Sequence, residues 1–160
     1  MTVPDLADLA AEFDRRTTRI VWCTMATVAP DGRPWTRVVH PVWEHGTGWV
    51  ASNRHGLKAR HLAHEPRVSL TYWDAAQEVV TVQATASWAD DPPTRERVWA
   101  LIRDTDPPLG YDPITFWPGG PGDPAFAVLH LTATRIDITG LATAPGPRLT
   151  WRRHSPVEPG

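Results

Sequence analysis

The sequence is poor in lysine, cysteine and long apolar runs, and each shortage excludes a class of protein. Lys58 is the only lysine, and 16 basic against 18 acidic residues leave a net charge of −2. This balance argues against a nucleic acid or an anionic membrane surface as the main partner. The single cysteine, Cys23, excludes an internal disulfide framework and is typical of a reducing compartment.

Membrane and targeting segments are also missing from the pattern. No apolar run approaches the roughly 18 residues that a membrane-spanning helix needs. Asp5, Asp8 and Glu12 occupy the region where a secretory signal peptide carries basic residues. We therefore expect a cytoplasmic protein with neither a membrane nor a nucleic acid as its partner.

The apolar content is sufficient for one globular domain with its own core, since it reaches 41% of the 160 residues. We predict a single domain over residues 1–142 and a loose tail over 143–160 that contains Trp151. Nine tryptophans are many for this length. They indicate core and dimer packing, or a flat surface for a planar ligand.

Hydrophobic periodicity predicts a mainly β protein with peripheral helices. The run 20–28 is apolar on both faces, whereas 79–88 alternates and so has one inward face. The predicted helices cover 4–18, 57–64 and 94–103, and the predicted strands cover 20–28, 35–43, 49–52, 68–73, 79–88 and 126–139. Short turns favour antiparallel pairing, in a small closed barrel of about six strands or in an open sheet with helices on one face.

The side chains that could bind a ligand lie mainly between positions 33 and 73. Arg37 lies inside a predicted strand, where a buried charge is unfavourable unless it is paired. Ser52 stands 15 residues later at the end of the next strand, and Lys58 follows at the start of a helix. A helix N terminus attracts anions, so Arg37, Ser52 and Lys58 could converge on one phosphate if a hairpin joins the two strands. The alternative is that Arg37 is an ordinary surface arginine.

Five stretches of this region carry a resemblance to a known family. They are Pro34-Trp35-Thr36-Arg37-Val38-Val39, Val50-Ala51-Ser52-Asn53, Lys58, Leu62 and Glu65-Pro66-Arg67-Val68-Ser69-Leu70-Thr71-Tyr72-Trp73. Together they resemble the flavin-binding core of the pyridoxamine 5'-phosphate oxidase-like family, over residues 19–89 and more weakly over 126–138. The resemblance implies a six-stranded, Greek-key-like split β-barrel, a homodimer, and FMN bound at the dimer interface.

The resemblance also implies which residues contact the cofactor. They are Arg37, Val38, Val39, His40, Ala51, Ser52, Leu57, Lys58 and Val79. The family binds the cofactor phosphate at the positions of Arg37 and Lys58. The backbone of 37–40 would line the edge of the isoalloxazine ring, and 51–52 would lie near the ribityl chain and the phosphate. No residue is assigned a catalytic role.

The chain departs from the oxidase at several of these positions. Leu57 and Val79 stand where the oxidase has a phosphate-binding arginine and a flavin-contacting glutamine. The basic residues that bind the phosphate of vitamin B6 are absent, so we expect another small planar substrate. The missing side chains leave room for a bulkier cofactor tail, which makes an F420-dependent reductase the alternative. A barrel that binds a flavin or haem without turnover is a further possibility.

The sequence also supports predictions for three tryptophans, one long loop, the histidines and the cysteine. The flavin would supply the redox chemistry, and Trp43, Trp73 and Trp117 are the candidates to shape the substrate pocket. The Pro/Gly-rich loop 104–124 is either a lid or a plain surface crossing. His61 and His64, spaced i and i+3 without a third ligand, are expected to be solvated, and no metal site is predicted. Cys23 is expected to be a buried, inert thiol, and His40 to line a pocket or to be a satisfied sheet residue.

Overall fold

The computed structural model describes residues 1–140 and 148–153 of the chain. Its helices are α1 (Ala7–Ile20), α2 (Leu57–His64) and α3 (Pro92–Asp104). Its strands are β1 (Cys23–Val28), β2 (Pro34–Val39), β3 (Val42–Glu44), β4 (Thr47–Asn53), β5 (Arg67–Trp73), β6 (Glu78–Trp88), β7 (Phe126–Gly140) and β8 (Leu149–Arg152). None of the helices in these described segments is long and apolar enough to cross a membrane.

The strands form one curved sheet in which every pair of strands is antiparallel. The order is β2-β1-β5-β6-β7-β4-β3, and β8 pairs with β7. The ladder does not close, because β2 and β3 stand at the two ends of the order. The predicted mainly β, split-barrel architecture is confirmed. The described residues contain eight strands where about six were predicted. Of the two predicted arrangements, closed barrel and open sheet, the ladder is the open one.

The core lies inside the curved sheet, where the inward faces of the strands meet. On β6 the apolar side of the predicted alternation faces inward: Val80, Val82, Ala84 and Ala86 are buried, and Trp88 is partly buried against the same core. Helix α1 covers this core with Leu9 and Phe13, among others. A second apolar cluster lies on the other face of β4 and β7, under α3. As a result β7 is buried on both faces along its first four residues.

The sequence misplaces the boundaries of two strands. The predicted strand 20–28 begins only at Cys23, because Ile20 still belongs to α1 and Val21 turns the chain with a positive φ of 67°. Its burial alternates, since only one face of β1 meets the core. The predicted strand 35–43 is two strands, β2 and β3, which are separated at His40 and Pro41. Proline has no N–H to donate to a ladder, which accounts for the break.

The C-terminal segment is more ordered than the predicted loose tail. Residues 149–152 pair with 135–138 of β7, and Trp151 is only 7% exposed within the core. Burial raises the pKa of Asp137, but hydrogen bonds from Arg135, Thr150 and Arg148 outweigh burial and hold that pKa at about 2. These bonds fasten β8 to β7. The predicted domain boundary at 142/143 lies outside the described residues.

Candidate cofactor-binding site

Three polar side chains from separate elements meet beside the open end of the sheet. Arg37 comes from β2, Ser52 from the end of β4 and Lys58 from the first turn of α2. The Lys58 ammonium donates a short hydrogen bond to Ser52 Oγ. Arg37 lies close enough for its charge to act on Lys58. We call Arg37, Ser52 and Lys58 the cationic end of the site.

The convergence arises differently from the predicted hairpin. The hairpin that leads into β4 starts from β3 and not from β2, across the two-residue turn His45-Gly46, in which both residues have a positive φ. Strand β2 pairs with β1 instead, so Arg37 lies opposite Met25 and not beside Ser52 in a ladder. The proximity of Arg37 and Lys58 is therefore not produced by a ladder between β2 and β4.

In the part of the chain that the structure describes, no acidic side chain balances the positive charges of Arg37 and Lys58. Burial lowers the pKa of Arg37, and burial together with the charge of Arg37 lowers the pKa of Lys58 to about 8. No carboxylate among the described residues contributes to either shift. The N terminus of α2 adds to the positive potential, because no side chain caps its first N–H groups. Two desolvated cations without an acidic partner are the arrangement of an anion site.

An apolar cleft of about 480 Å³ opens from the cationic end. One wall comes from the strands and includes Val38, Val39, Val50 and Ala51. The opposite wall comes from the loop between α3 and β7, through residues 108–117. Lys58 lies in the lining, so the positive charge is at one end of a mostly apolar space.

Aromatic rings form much of this lining. The His40 ring lies between Trp22 and Tyr111, with ring centroids 4.7 and 5.1 Å away. Burial lowers the pKa of His40, although hydrogen bonding to the Leu109 backbone opposes this, and its Nε2 has no partner among the described residues. Flat rings with a neutral imidazole suit a planar heterocycle better than a flexible aliphatic ligand.

The structure places seven of the nine predicted contact residues around this site. Val38, Val39, His40, Ala51 and Lys58 line the cleft, and Arg37 and Ser52 complete the cationic end. Leu57 lies on a separate surface depression with Trp35 and His61. Val79 lies on β6 opposite Thr139, and its carbonyl accepts a hydrogen bond from Arg16 at 3.3 Å. Neither residue belongs to the cleft lining of this single chain.

Several aromatic residues of the cleft lining were not predicted from the sequence. Trp117 lines it as predicted, but Trp43 donates to the buried Tyr72 hydroxyl and Trp73 is an exposed residue bonded to Gln77. The rings that take their place are Trp22, Tyr111 and Phe116. Their only sequence signal is the aromatic content of the 104–124 loop and of the α1–β1 junction, because their meeting depends on the path of that loop.

The histidine and cysteine predictions have mixed outcomes. The expectation that His61 is solvated is wrong: it is 1% exposed and hydrogen-bonds to Thr27, whereas His64 is exposed. Cys23 is buried as predicted, and burial raises the pKa of its thiol to about 12, which favours the unreactive protonated form. Within residues 1–140 and 148–153, no group of three or more His, Cys, Asp or Glu side chains is placed to hold a metal ion.

Solved structures with the same fold extend over nearly the whole chain. A protein related to general stress protein 26, from Clostridium acetobutylicum, is 16% identical with a TM-score of 0.73, and the match covers 91% of this chain and 94% of that one. A pyridoxamine 5'-phosphate oxidase-related, FMN-binding protein from Nostoc punctiforme is 18% identical with a TM-score of 0.70, covering 95% and 92%. An F420 reductase is 17% identical with a TM-score of 0.57, covering 77% and 94%.

Structures at these low identities show only that the fold is shared, whereas a match of the sequence itself identifies a family. No curated protein is significantly similar to the chain. The sequence profile described as pyridoxamine 5'-phosphate oxidase matches residues 9–140, which includes every strand from β1 to β7 and both walls of the cleft. The chain therefore belongs to the pyridoxamine 5'-phosphate oxidase family.

Proposed function

We propose that this protein binds FMN in the cleft and uses it as a redox cofactor for a small planar substrate. The observation that carries the proposal is the pair of desolvated cations, Arg37 and Lys58, at one end of an aromatic-lined cleft. An anionic phosphate attached to a flat heterocycle matches both parts of this site. The likeness of fold to an FMN-binding protein of the same family supports the choice.

The size and chemistry of the site fit such a ligand. Small-molecule sites usually occupy about 300–1,000 Å³ and combine apolar walls with a few polar groups, and the cleft holds about 480 Å³. Arg37 offers forked N–H donors, and Lys58 offers a compact charge. An anion between them would relieve their mutual repulsion. The bound flavin would supply electron or hydride transfer, and the protein supplies binding, orientation and exclusion of water.

A second copy of the chain completes the proposed site. Three large apolar side chains of the lining are exposed in a single chain: Trp22, Val38 and Phe116, at 59%, 64% and 65%. Strand β2 next to them is an end strand of the sheet. Exposed apolar rims of this kind mark interaction surfaces. We expect a homodimer by light scattering, with both copies contributing to the cofactor environment.

F420 is a second candidate for the cofactor. Gly56, the exposed residue before α2, has no described atom beyond its chain neighbours within 4 Å of where a Cβ would stand. The start of α2 therefore presents no steric obstacle to a cofactor tail longer than that of FMN. The likeness to an F420 reductase points the same way. Both cofactors present a phosphate ester and a planar ring, so the same cationic end serves either.

The test is a binding titration of the purified protein with FMN, with riboflavin, which lacks the phosphate, and with F420. Arg37→Ala combined with Lys58→Ala removes the cationic end, and Arg103→Ala is a matched control. Arg103 is exposed on α3 and pairs with its neighbour Asp104. We expect the double variant to weaken FMN binding at least about 100-fold, since hydrogen bonds to charged groups contribute about 1.5–3 kcal/mol each.

Riboflavin affinity is expected to change little in the double variant, and Arg103→Ala is expected to change neither ligand. Unaltered FMN affinity in the double variant would mean that Arg37 and Lys58 are not the phosphate ligands. Preference for F420 over FMN in the unmodified protein would select the second candidate. Absence of binding to all three ligands would refute the proposed function.

A further inference from the structure

We propose that Thr27 and His61 are positioning residues for Arg37, which they hold at the cationic end through a buried hydrogen-bond chain. The proposal rests on the proposed function, because it concerns how the cofactor phosphate is recognised. Neither residue lines the cleft, so their effect on a ligand would be exerted only through the Arg37 guanidinium.

The chain of contacts is short and continuous. The Arg37 guanidinium donates to Thr27 Oγ1 at 2.7 Å, and Thr27 Oγ1 lies 2.9 Å from His61 Nδ1. Thr27 and His61 are each 1% exposed, so water does not compete for these bonds. The register of β1 and β2 explains the first contact: Arg37 pairs with Met25, and Thr27 is its diagonal neighbour two residues along β1.

The chemistry of the three groups fixes the direction of the first bond. A guanidinium has no acceptor, so Thr27 Oγ1 must accept from Arg37. The hydroxyl hydrogen of Thr27 is then available to His61, and a neutral ring with its proton on Nε2 accepts that hydrogen through Nδ1. We assign His61 to this neutral tautomer, in which each group of the chain uses the donor or acceptor that it has.

The surroundings of His61 favour this neutral form. Three charged groups act on the ring: Arg37 from β2, Arg60 from α2 and Asp31 from the turn before β2. Burial lowers the pKa of His61, the two arginines lower it further, and Asp31 opposes them. A neutral ring adds no third cation beside Arg37, and its Nδ1 lone pair suits the Thr27 hydroxyl hydrogen.

Positioning matters here because an arginine side chain is long and has many rotamers. Thr27 is the only described residue to which Arg37 hydrogen-bonds through its side chain. Without this bond the guanidinium would lose its fixed orientation, and a bound phosphate would have to restrict the rotamers itself. The Thr27 hydroxyl thus prearranges the forked donors of Arg37 before a ligand arrives.

The experiment compares FMN with riboflavin in Thr27→Val, which has nearly the same shape and lacks the hydroxyl. We expect FMN binding to weaken roughly 3- to 10-fold, in keeping with one lost hydrogen bond, with riboflavin binding unchanged. Thr27→Ser keeps the hydroxyl and is expected to restore FMN affinity to within about twofold. Thr17→Val is the matched control, because Thr17 is also buried and loses a bond to the Phe13 carbonyl in α1.

His61→Phe completes the test as a double-mutant cycle with Thr27→Val. Members of one chain are not additive, so the double variant is expected to lose no more FMN affinity than either single variant. If Thr27→Val keeps the FMN-to-riboflavin ratio while Arg37→Ala abolishes it, the positioning role is refuted and the phosphate site stands. If Arg37→Ala also keeps the ratio, or neither ligand binds, both proposals fail.

Discussion

The only lysine of the chain is expected to destabilise the free protein. Lys58 is half-buried at the cationic end, where burial and the Arg37 charge lower its pKa from 10.5 to about 8. A lowered lysine pKa means that the charged form is less favourable in the folded than in the unfolded chain. Replacing Lys58 by methionine, which has a similar length and no charge, should therefore increase the free energy of unfolding of the ligand-free protein.

The size of the gain follows from the pKa. A drop from 10.5 to about 8 corresponds to about 3 kcal/mol at 1.36 kcal/mol per pKa unit. Methionine also loses the hydrogen bond to the buried Ser52 hydroxyl, which offsets about 1 kcal/mol. The net increase is about 2 kcal/mol, or roughly 4–8 °C in Tm for a chain of this size.

The penalty in the free energy of unfolding is expected to depend on pH. The penalty is fully present below about pH 8, where Lys58 is charged in both states, and it disappears as the pH rises towards 10.5. Urea unfolding of both ligand-free proteins at pH 7 and pH 10 measures it. Lys58→Arg keeps a charge at both pH values and is the control. The reasoning is refuted if Lys58→Met is equally or less stable at pH 7, or if its advantage is the same at pH 10.

Two further predictions concern the ligand and the C terminus. FMN affinity should be highest below about pH 8 and fall by up to tenfold per pH unit above it, because a bound phosphate needs Lys58 protonated; titrations from pH 7 to 9.5 measure this fall, and Lys58→Arg should remove it. Trp151→Ala should lower the free energy of unfolding by about 3–5 kcal/mol in urea titrations, because Trp151 packs in the core; a loss below about 1 kcal/mol would mean that β8 adds nothing to the fold.

Local patterns predicted the regular elements well. Helix α2 occupies 57–64 as expected, because Pro66 prevents its continuation, and the alternation of β6 gives its inward face directly. The errors occur where contacts between residues far apart in the sequence determine the structure. The pattern could not show that Ile20 still belongs to a helix or that Trp151 packs in the core. Each of these depends on packing between elements far apart in the sequence.

The candidate site was predicted in part for the same reason. Arg37, Ser52 and Lys58 lie within about 20 residues of one another along the chain, and an arginine inside an otherwise apolar strand is conspicuous. The aromatic wall was not predictable, because it depends on the path of residues 108–117 around the sheet. His61 looked like a surface residue, since its helix gives no local sign that Thr27 lies 2.9 Å away.

The uniqueness of Lys58 also has a consequence for protein chemistry. Amines react with acylating reagents only in their unprotonated form, and at pH 8 about half of the Lys58 side chains are in that form. No other lysine of the sequence competes with Lys58 for the reagent. Mild acylation therefore attaches a dye or crosslinker at the cleft. A ligand that covers Lys58 is expected to protect it from acylation, which is measured on the one tryptic peptide that contains this residue.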